Sequence, residues 1–322
     1  MRITKAVVPA AGRGTRLYPV TKSQPKEMLP LGTKPTIQRV VEEIVSAGIT
    51  DILIVTGEGK RAVEDHLDPA NGLAGGDTDS PEQHSVIEEA GVRFFYTRQS
   101  RPRGLGDAVL HGRQVVGDEH FLVALGDSVI IGREEGALAG RLMDTHLRFS
   151  ADAVICVQRV SDEATRRYGI VQAAGELAPG VLELSDIVEK PGPEAAPSRL
   201  AVTARYTFSP VIFDYLANLE PGHGGEIQLT DAIRAMIIAG RRVLAVPLAE
   251  DERRLDVGDF ESYSRAFFRM MMTHPTYGAS LRSYARSLLS YLEDDAVPDP
   301  DLPLAGDATA PTATKEGTVC ET

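Results

Sequence analysis

Cysteine occurs only twice in the 322 residues, at Cys156 and Cys320, far apart and one of them near the terminus. That usage excludes a disulfide scaffold and predicts a reducing compartment. No apolar run approaches the roughly 20 residues that cross a bilayer, and residues 1–20 do not form a signal peptide. The expectation is a soluble, cytoplasmic chain without a membrane partner. Cations are also in deficit: 34 Lys and Arg against 46 Asp and Glu give a net charge of −12 and a pI near 5.1. This balance argues against nucleic acid and against an anionic membrane as partners. The seven histidines show no H-E-x-x-H or paired metal spacing, which disfavours zinc hydrolysis. No G-x-S-x-G elbow exists, and neither cysteine sits in a nucleophile motif. No internal repeat is evident.

What is present begins at residue 5. Lys5-Ala6-Val7-Val8 reads as a short buried strand, and Pro9-Ala10-Ala11-Gly12-Arg13-Gly14-Thr15-Arg16 follows it. Two glycines allow a sharp turn, and backbone N–H groups aimed into such a turn form a nest for phosphate. Arg16 adds a planar fork of donors and Lys26 a point charge, both suited to phosphate oxygens. A glycine-rich turn after a strand is common in any α/β protein. The dinucleotide pattern G-x-G-x-x-G fails here because Leu17 stands at its third glycine, and G-x-x-x-x-G-K-[ST] is absent. The feature that separates this stretch from an ordinary turn is its length. The run PAAGRGTRLYPVTKSQPKEMLP keeps glycine, arginine and lysine at set spacing as far as Pro30. Its cations predict a nucleoside triphosphate site.

Along the chain, Ile37, Val40, Val41, Ile44 and Val45 form a helical stripe over Thr36–Ala47, stopped by Gly48. Asp51-Ile52-Leu53-Ile54-Val55 has the unbroken apolar run of a strand covered on both faces. Further strands are expected at Arg93–Tyr96 and Phe121–Leu125, with a helix from Gly106 to Val115 between them. The fold class that results is α/β, a doubly wound sheet whose ligands sit at the carboxyl ends of its strands. Ala153–Val157, Tyr168–Val171, Leu182–Val188 and Ala201–Phe208 continue it as a mixed section. Phe260–Met272 and Leu281–Leu292 read as helices, the second with the stripe Leu281, Tyr284, Ala285, Leu288, Leu292. Thr56–His66 reads as a loop opening a charged surface helix, with a ligand role left open. Residues 69–90 are rich in Gly, Pro, Asp and Ser. From Glu293 the chain is acidic and nearly free of large apolar groups, which predicts a disordered tail. The divisions expected are 1–275, a helix at 276–292, and the tail 293–322.

Pro9 to Pro30 resembles the sugar-nucleotidyltransferase motif, and PAAG with PKEMLP resembles its bacterial UTP–glucose-1-phosphate uridylyltransferase branch. The likeness covers roughly residues 3 to 270. It implies a Rossmann-like, mostly parallel mixed sheet flanked by helices. It also implies transfer of a uridylyl group from UTP to glucose 1-phosphate, giving UDP-glucose and pyrophosphate, with Mg2+ as cofactor and a homo-dimer or homo-tetramer as assembly.

The resemblance distributes roles over this sequence. Ala10, Ala11, Gly12, Gly14 and Thr15 form the nucleotide turn, with Glu27 facing it. Gln99 and Gly104, from Gln99-Ser100-Arg101-Pro102-Arg103-Gly104, recognise the base. Arg16 and Lys26 hold the triphosphate. Asp127, after Leu125-Gly126, and Asp256, in Arg254-Leu255-Asp256-Val257-Gly258, bind Mg2+. Many relatives carry a second acidic residue after the first aspartate, and Ser128 stands there instead. Tyr168, Gly169, Glu189 and Lys190 hold the sugar phosphate, Lys190 orienting the nucleophile. Two rivals stay open. Leu17-Tyr18-Pro19 leans toward a thymidylyltransferase using dTTP, and an inactive nucleotide-sugar binding or regulatory module is the other.

Overall fold

A computed structural model describes residues 2–68 and 91–293. Residues 69–90, the tail after Glu293 and Cys320 lie outside the described residues. Two compact units divide the chain, Met1–Phe267 and the part from Phe268 onward.

The first unit is built on nine strands in the order β5-β4-β1-β6-β11-β8-β12-β10-β9. These are β1 (Lys5–Pro9), β4 (Asp51–Thr56), β5 (Arg93–Arg98), β6 (Phe121–Ala124), β8 (Ala153–Arg159), β9 (Gly169–Ala178), β10 (Val181–Glu189), β11 (Leu200–Phe208) and β12 (Val243–Pro247). Two short ribbons stand apart, β2 (Pro30–Leu31) with β3 (Lys34–Pro35), and β7 (Ser128–Ile131) with β13 (Arg253–Asp256). In the large sheet β10 and β11 run against the others, so the sheet is mixed with one dominant direction. The helices in chain order are α1 (Thr36–Ser46), α2 (Arg61–Leu67), α3 (Leu105–Leu110), α4 (Arg113–Val116) and α5 (Ala137–Arg148). After them come α6 (Gly192–Ala195), α7 (Ile212–Ala217), α8 (Leu229–Ile238), α9 (Phe260–Met272) and α10 (Gly278–Glu293).

Local sequence explains the N-terminal half of the sheet well. The α1 stripe is fully buried at Ile37, Val40, Val41 and Ile44, and Gly48 ends the helix at φ 95°, a conformation that disfavours a side chain. Strand β4 is buried at all six residues, as its apolar run requires. The helix expected from Gly106 to Val115 is instead two pieces, α3 and α4. Gly112 interrupts it: a Cβ there would lie 2.7 Å from Val7 Cγ2 and 3.0 Å from the Val109 carbonyl. The backbone therefore presses directly on β1, and the chain turns.

Side chains of both halves meet in one core. Val7, Leu53 and Val123 join Ile155, Phe208 and Phe213 there, and Phe121 stacks on Phe213 with centroids 5.0 Å apart. Each such side chain contributes roughly 1.5–3 kcal/mol on burial. Two polar contacts tie the seam where β6 meets β11. Arg205, wholly buried on β11, grips Glu43 of α1 through Nε at 2.9 Å and Nη2 at 2.6 Å. His146 of α5 is likewise buried, with Nδ1 3.0 Å from Thr207 Oγ1 and Nε2 2.6 Å from His120.

The second unit begins inside α9 and includes α10. Its stripe is half-buried at Leu281, Ala285 and Leu288, while Leu289 and Leu292 are exposed. Among the described residues no helix is long and apolar enough to cross a membrane.

Candidate active site

The carboxyl ends of β1, β5 and β6 open into one cleft of about 780 Å³, completed by the residues around the β9–β10 pairing. It falls where ligands of open α/β sheets sit. Ala11, Gly12, Thr15, Arg16, Lys26, Glu27, Gln99 and Gly104 line one side of it. Tyr168, Gly169, Glu189 and Lys190 line the other side, and Asp127 and Asp256 stand among them. Residues between 9 and 256 in the sequence thus share one wall.

Ala10 and Gly14 lie behind that wall. Ala10 is buried and donates its N–H to the Val55 carbonyl at 2.9 Å, fastening the turn to β4. Gly14 takes φ 67° and accepts Thr21 Oγ1 at 2.7 Å, which folds Arg16 back toward the cleft. Leu17 packs into a small cluster with Leu29 and Val257, whereas Tyr18 is 51% exposed.

The loop from Gln99 to Gly104 is held from beneath. Gly104 has φ 109°, and a Cβ there would lie 2.6 Å from the Ile227 carbonyl. Gln99 donates Nε2 to Asp107 at 2.7 Å and to the Gly104 carbonyl at 3.2 Å. A carboxylate accepts only, so this contact fixes the orientation of the amide and leaves its oxygen as the group offered elsewhere.

Cations and carboxylates alternate across the floor. Lys26 pairs with Asp127. Burial works against both charges, yet each sustains the other: Asp127, then Glu27, raise Lys26 above the ordinary lysine value, and Lys26 with Arg254 lowers Asp127. Asp256 is brought to this point by the β7–β13 ribbon. Asp256 pairs in register with Ser128, and Val257 N–H donates to the Asp127 carbonyl at 3.1 Å. Sequence reasoning named both aspartates but not this ribbon, which is too short to show periodicity.

Arg254 is a cleft residue that carried no sequence-derived role. Its Nε donates to Ser128 Oγ at 2.8 Å and its Nη2 to Asp256 at 3.1 Å, with the guanidinium 5.0 Å from the Tyr168 ring centroid. Its Nη1 is buried with no hydrogen-bond partner. Ser128, left unassigned in the sequence, is therefore the support of a cation. Across the cleft Glu189, at the end of β10, faces Gly169, the first residue of β9. Thr230 donates to Glu189 at 2.8 Å, and Lys190 Nζ lies 3.0 Å from the same carboxylate. Thr230, in the first turn of α8, thus orients a cleft carboxylate.

Lys60 also departs from expectation. Helix α2 is a surface helix as read, with Arg61 and Asp65 exposed, but the residue before it is not at the surface. Lys60 is 4% exposed and pairs with Glu27, 1% exposed, at 2.5 Å. Burial pushes Glu27 up and Lys60 down, each opposed by its partner.

Three comparisons place this geometry. Residues 5–271 match the nucleotidyl transferase family. A UTP–glucose-1-phosphate uridylyltransferase of Streptococcus pyogenes is 40% identical over 304 residues, 92% of this chain and 98% of its own. A crystal structure of UDP-glucose pyrophosphorylase complexed with UDP-glucose superposes with TM-score 0.75 at 37% identity, over 82% of this chain and 97% of that one. A UTP-bound UGPase from Acinetobacter baumannii gives TM-score 0.76 at 33% identity, over 89% and 99%. With the family match spanning the whole strand-built unit, and the cleft residues lying inside it, the chain belongs to the nucleotidyl transferase family.

Proposed function

We propose that the chain transfers a uridylyl group from UTP to glucose 1-phosphate, giving UDP-glucose and pyrophosphate. The observation that carries this reading is that Arg16, Lys26, Lys190, Asp127 and Asp256 line one cleft, in a chain whose relatives bear that activity in their names. A phosphate oxygen of the sugar phosphate attacks the α-phosphorus in line. The bond from the α-phosphorus to the bridging oxygen breaks, and pyrophosphate leaves on the opposite side. No covalent enzyme intermediate forms. Catalysis of this kind rests on position and on charge neutralisation.

Each residue has one task. Arg16 and Lys26 hold the triphosphate and stabilise the departing pyrophosphate. Lys190 orients the attacking phosphate, and Glu189, steadied by Thr230, accepts hydrogen bonds from sugar hydroxyls. Tyr168 and Gly169 close the sugar end. Gln99 offers its oxygen to a base N–H, which suits uracil or thymine and disfavours cytosine, whose ring nitrogen is an acceptor.

Asp127 and Asp256 fit Mg2+. The ion keeps several waters and is content with one or two carboxylates plus substrate phosphates. Among the described residues no third His, Cys, Asp or Glu joins them, as a closed metal cage would require. Bound there, Mg2+ would screen the triphosphate and polarise the α-phosphorus. The same reading carries a homo-dimer or homo-tetramer in the cytoplasm.

The thymidylyl alternative rested on Leu17-Tyr18, and neither residue faces the cleft: Leu17 is in the core and Tyr18 points outward. Neither residue therefore contacts a base in the cleft, and the dipeptide gives no structural ground for dTTP. The test is pyrophosphate release by the purified protein with Mg2+, glucose 1-phosphate and each nucleoside triphosphate in turn. Release with UTP is expected. Equal or faster release with dTTP would move the chain to the neighbouring activity, and silence with every nucleotide would overturn the reading.

A further inference from the structure

The run Thr56-Gly57-Glu58-Gly59-Lys60 has no place in the mechanism above, yet it touches Gln99, the glycine-rich turn and Glu27. The Thr56 carbonyl accepts the Gln99 N–H at 2.9 Å, tying the segment to the base loop. Gly57 lies against the nucleotide turn so closely that a Cβ would sit 2.9 Å from the Ala11 carbonyl. Lys60 then reaches under the cleft floor to Glu27 at 2.5 Å. Glu27 lines the cleft, and Lys60 does not.

Lys26 and Glu27 are consecutive in one short turn, Lys26–Met28. Glu27 is buried beside the one lysine whose charge the triphosphate needs. Without a partner of its own, this carboxylate would either draw Lys26 toward itself or take up a proton, since an uncompensated buried charge is strongly unfavourable. Lys60 removes that competition. We infer that Lys60 is a positioning residue for the triphosphate end of the cleft: its ammonium neutralises Glu27, so that Lys26 stays aligned with Asp127 and the incoming phosphates. This inference rests on the nucleotide-transfer reading, but it makes a separate claim about which part of the nucleotide is held.

The experiment compares equilibrium binding of UTP and of uridine, together with steady-state KM values, in the whole protein. Lys60→Met should weaken UTP binding and raise KM for UTP about tenfold or more. Uridine binding and KM for glucose 1-phosphate should stay within about twofold. Lys60→Arg, which keeps the charge, should hold KM for UTP near the parent value. In the background of Glu27→Gln the same Lys60→Met change should have little further effect, because no charge remains to be neutralised. Full independence of the two substitutions would overturn the inference. So would a Lys60→Met protein with reduced melting temperature and kcat but unchanged KM for UTP, the mark of a purely structural lysine. If Lys60→Met does not fold, the Glu27→Gln/Lys60→Met double variant and Lys60→Arg carry the test. In that case a large KM change in either, measured against Glu27→Gln or the parent, sinks the inference. Absence of turnover in a parent protein that still binds UTP would count against the proposed reaction alone. A parent that does not bind UTP would sink both.

Discussion

The two ends of the cleft hold charge in different ways. At the nucleotide end each lysine has a carboxylate of its own: Lys26 pairs with Asp127 and Lys60 with Glu27, with side-chain exposures from 1% to 22%. At the sugar end Lys190 is 35% exposed and shares Glu189 with Thr230. Arg166 and Arg167 on the same side are exposed, Arg167 bound to Asp259 at 2.8 Å. The first arrangement is set before ligand arrives, as effective electrostatic stabilisation of a transition state requires. The second leaves its lysine and arginines more exposed, each still beside a carboxylate. On the proposed reading, the triphosphate would meet buried, paired lysines and its acceptor a more exposed one.

That contrast depends on both ends sharing one frame, and the largest effect should come from breaking it. Glu43→Ala would strand Arg205 in the core without its partner. Urea unfolding should show a loss of about 3–5 kcal/mol, the usual consequence of leaving one member of a buried pair behind. A loss under about 1 kcal/mol would mean that the seam does not depend on this pair.

Substitutions in the cleft then separate the two ends. Lys26→Ala should lower kcat for pyrophosphate release about a thousandfold, because a preorganised charge on the reacting phosphates disappears. Lys190→Ala should cost about a hundredfold and be felt mainly with limiting glucose 1-phosphate. Comparable losses, or a Lys190→Ala protein with full turnover, would erase the proposed division of labour.

The smallest effect concerns pH. Burial, with the neighbouring His120, holds His146 down at about 4, below its ordinary 6.5. The unfolded chain takes up a proton near pH 6.5 that the folded chain refuses until about pH 4. Stability from this group is therefore full above pH 6.5 and falls as the pH drops toward 4, by about 2 kcal/mol at pH 5. Urea unfolding of the parent and of His146→Asn at pH 7.5 and pH 5 checks it. The variant should lose less stability between the two pH values than the parent does.

Much of the cleft was legible in the chain. The turn after the first strand, with Arg16 and Lys26, could be read from residue type and spacing; Lys190 and both aspartates were named only through the family resemblance of their motifs. Strands β1, β4 and β6 were legible because a sheet covered on both faces demands unbroken apolar runs. Arg254, Lys60 and Thr230 were not, because each acts through a partner far away in sequence. Ser128 and Arg254 are 126 residues apart, and Lys60 and Glu27 are 33 apart. The short ribbon of β7 and β13, which joins the two aspartates, offered no periodicity to detect.

By itself, then, the sequence determined which strands form the first half of the sheet, since unbroken apolar runs suffice for that, and it carried the motifs by which the chain resembles its family. Tertiary structure alone decided which charges neutralise which. A lysine before a surface helix became a buried counter-ion, and a serine became the support of an arginine. Pairing of that kind depends on distances through space, and one-dimensional spacing does not encode them.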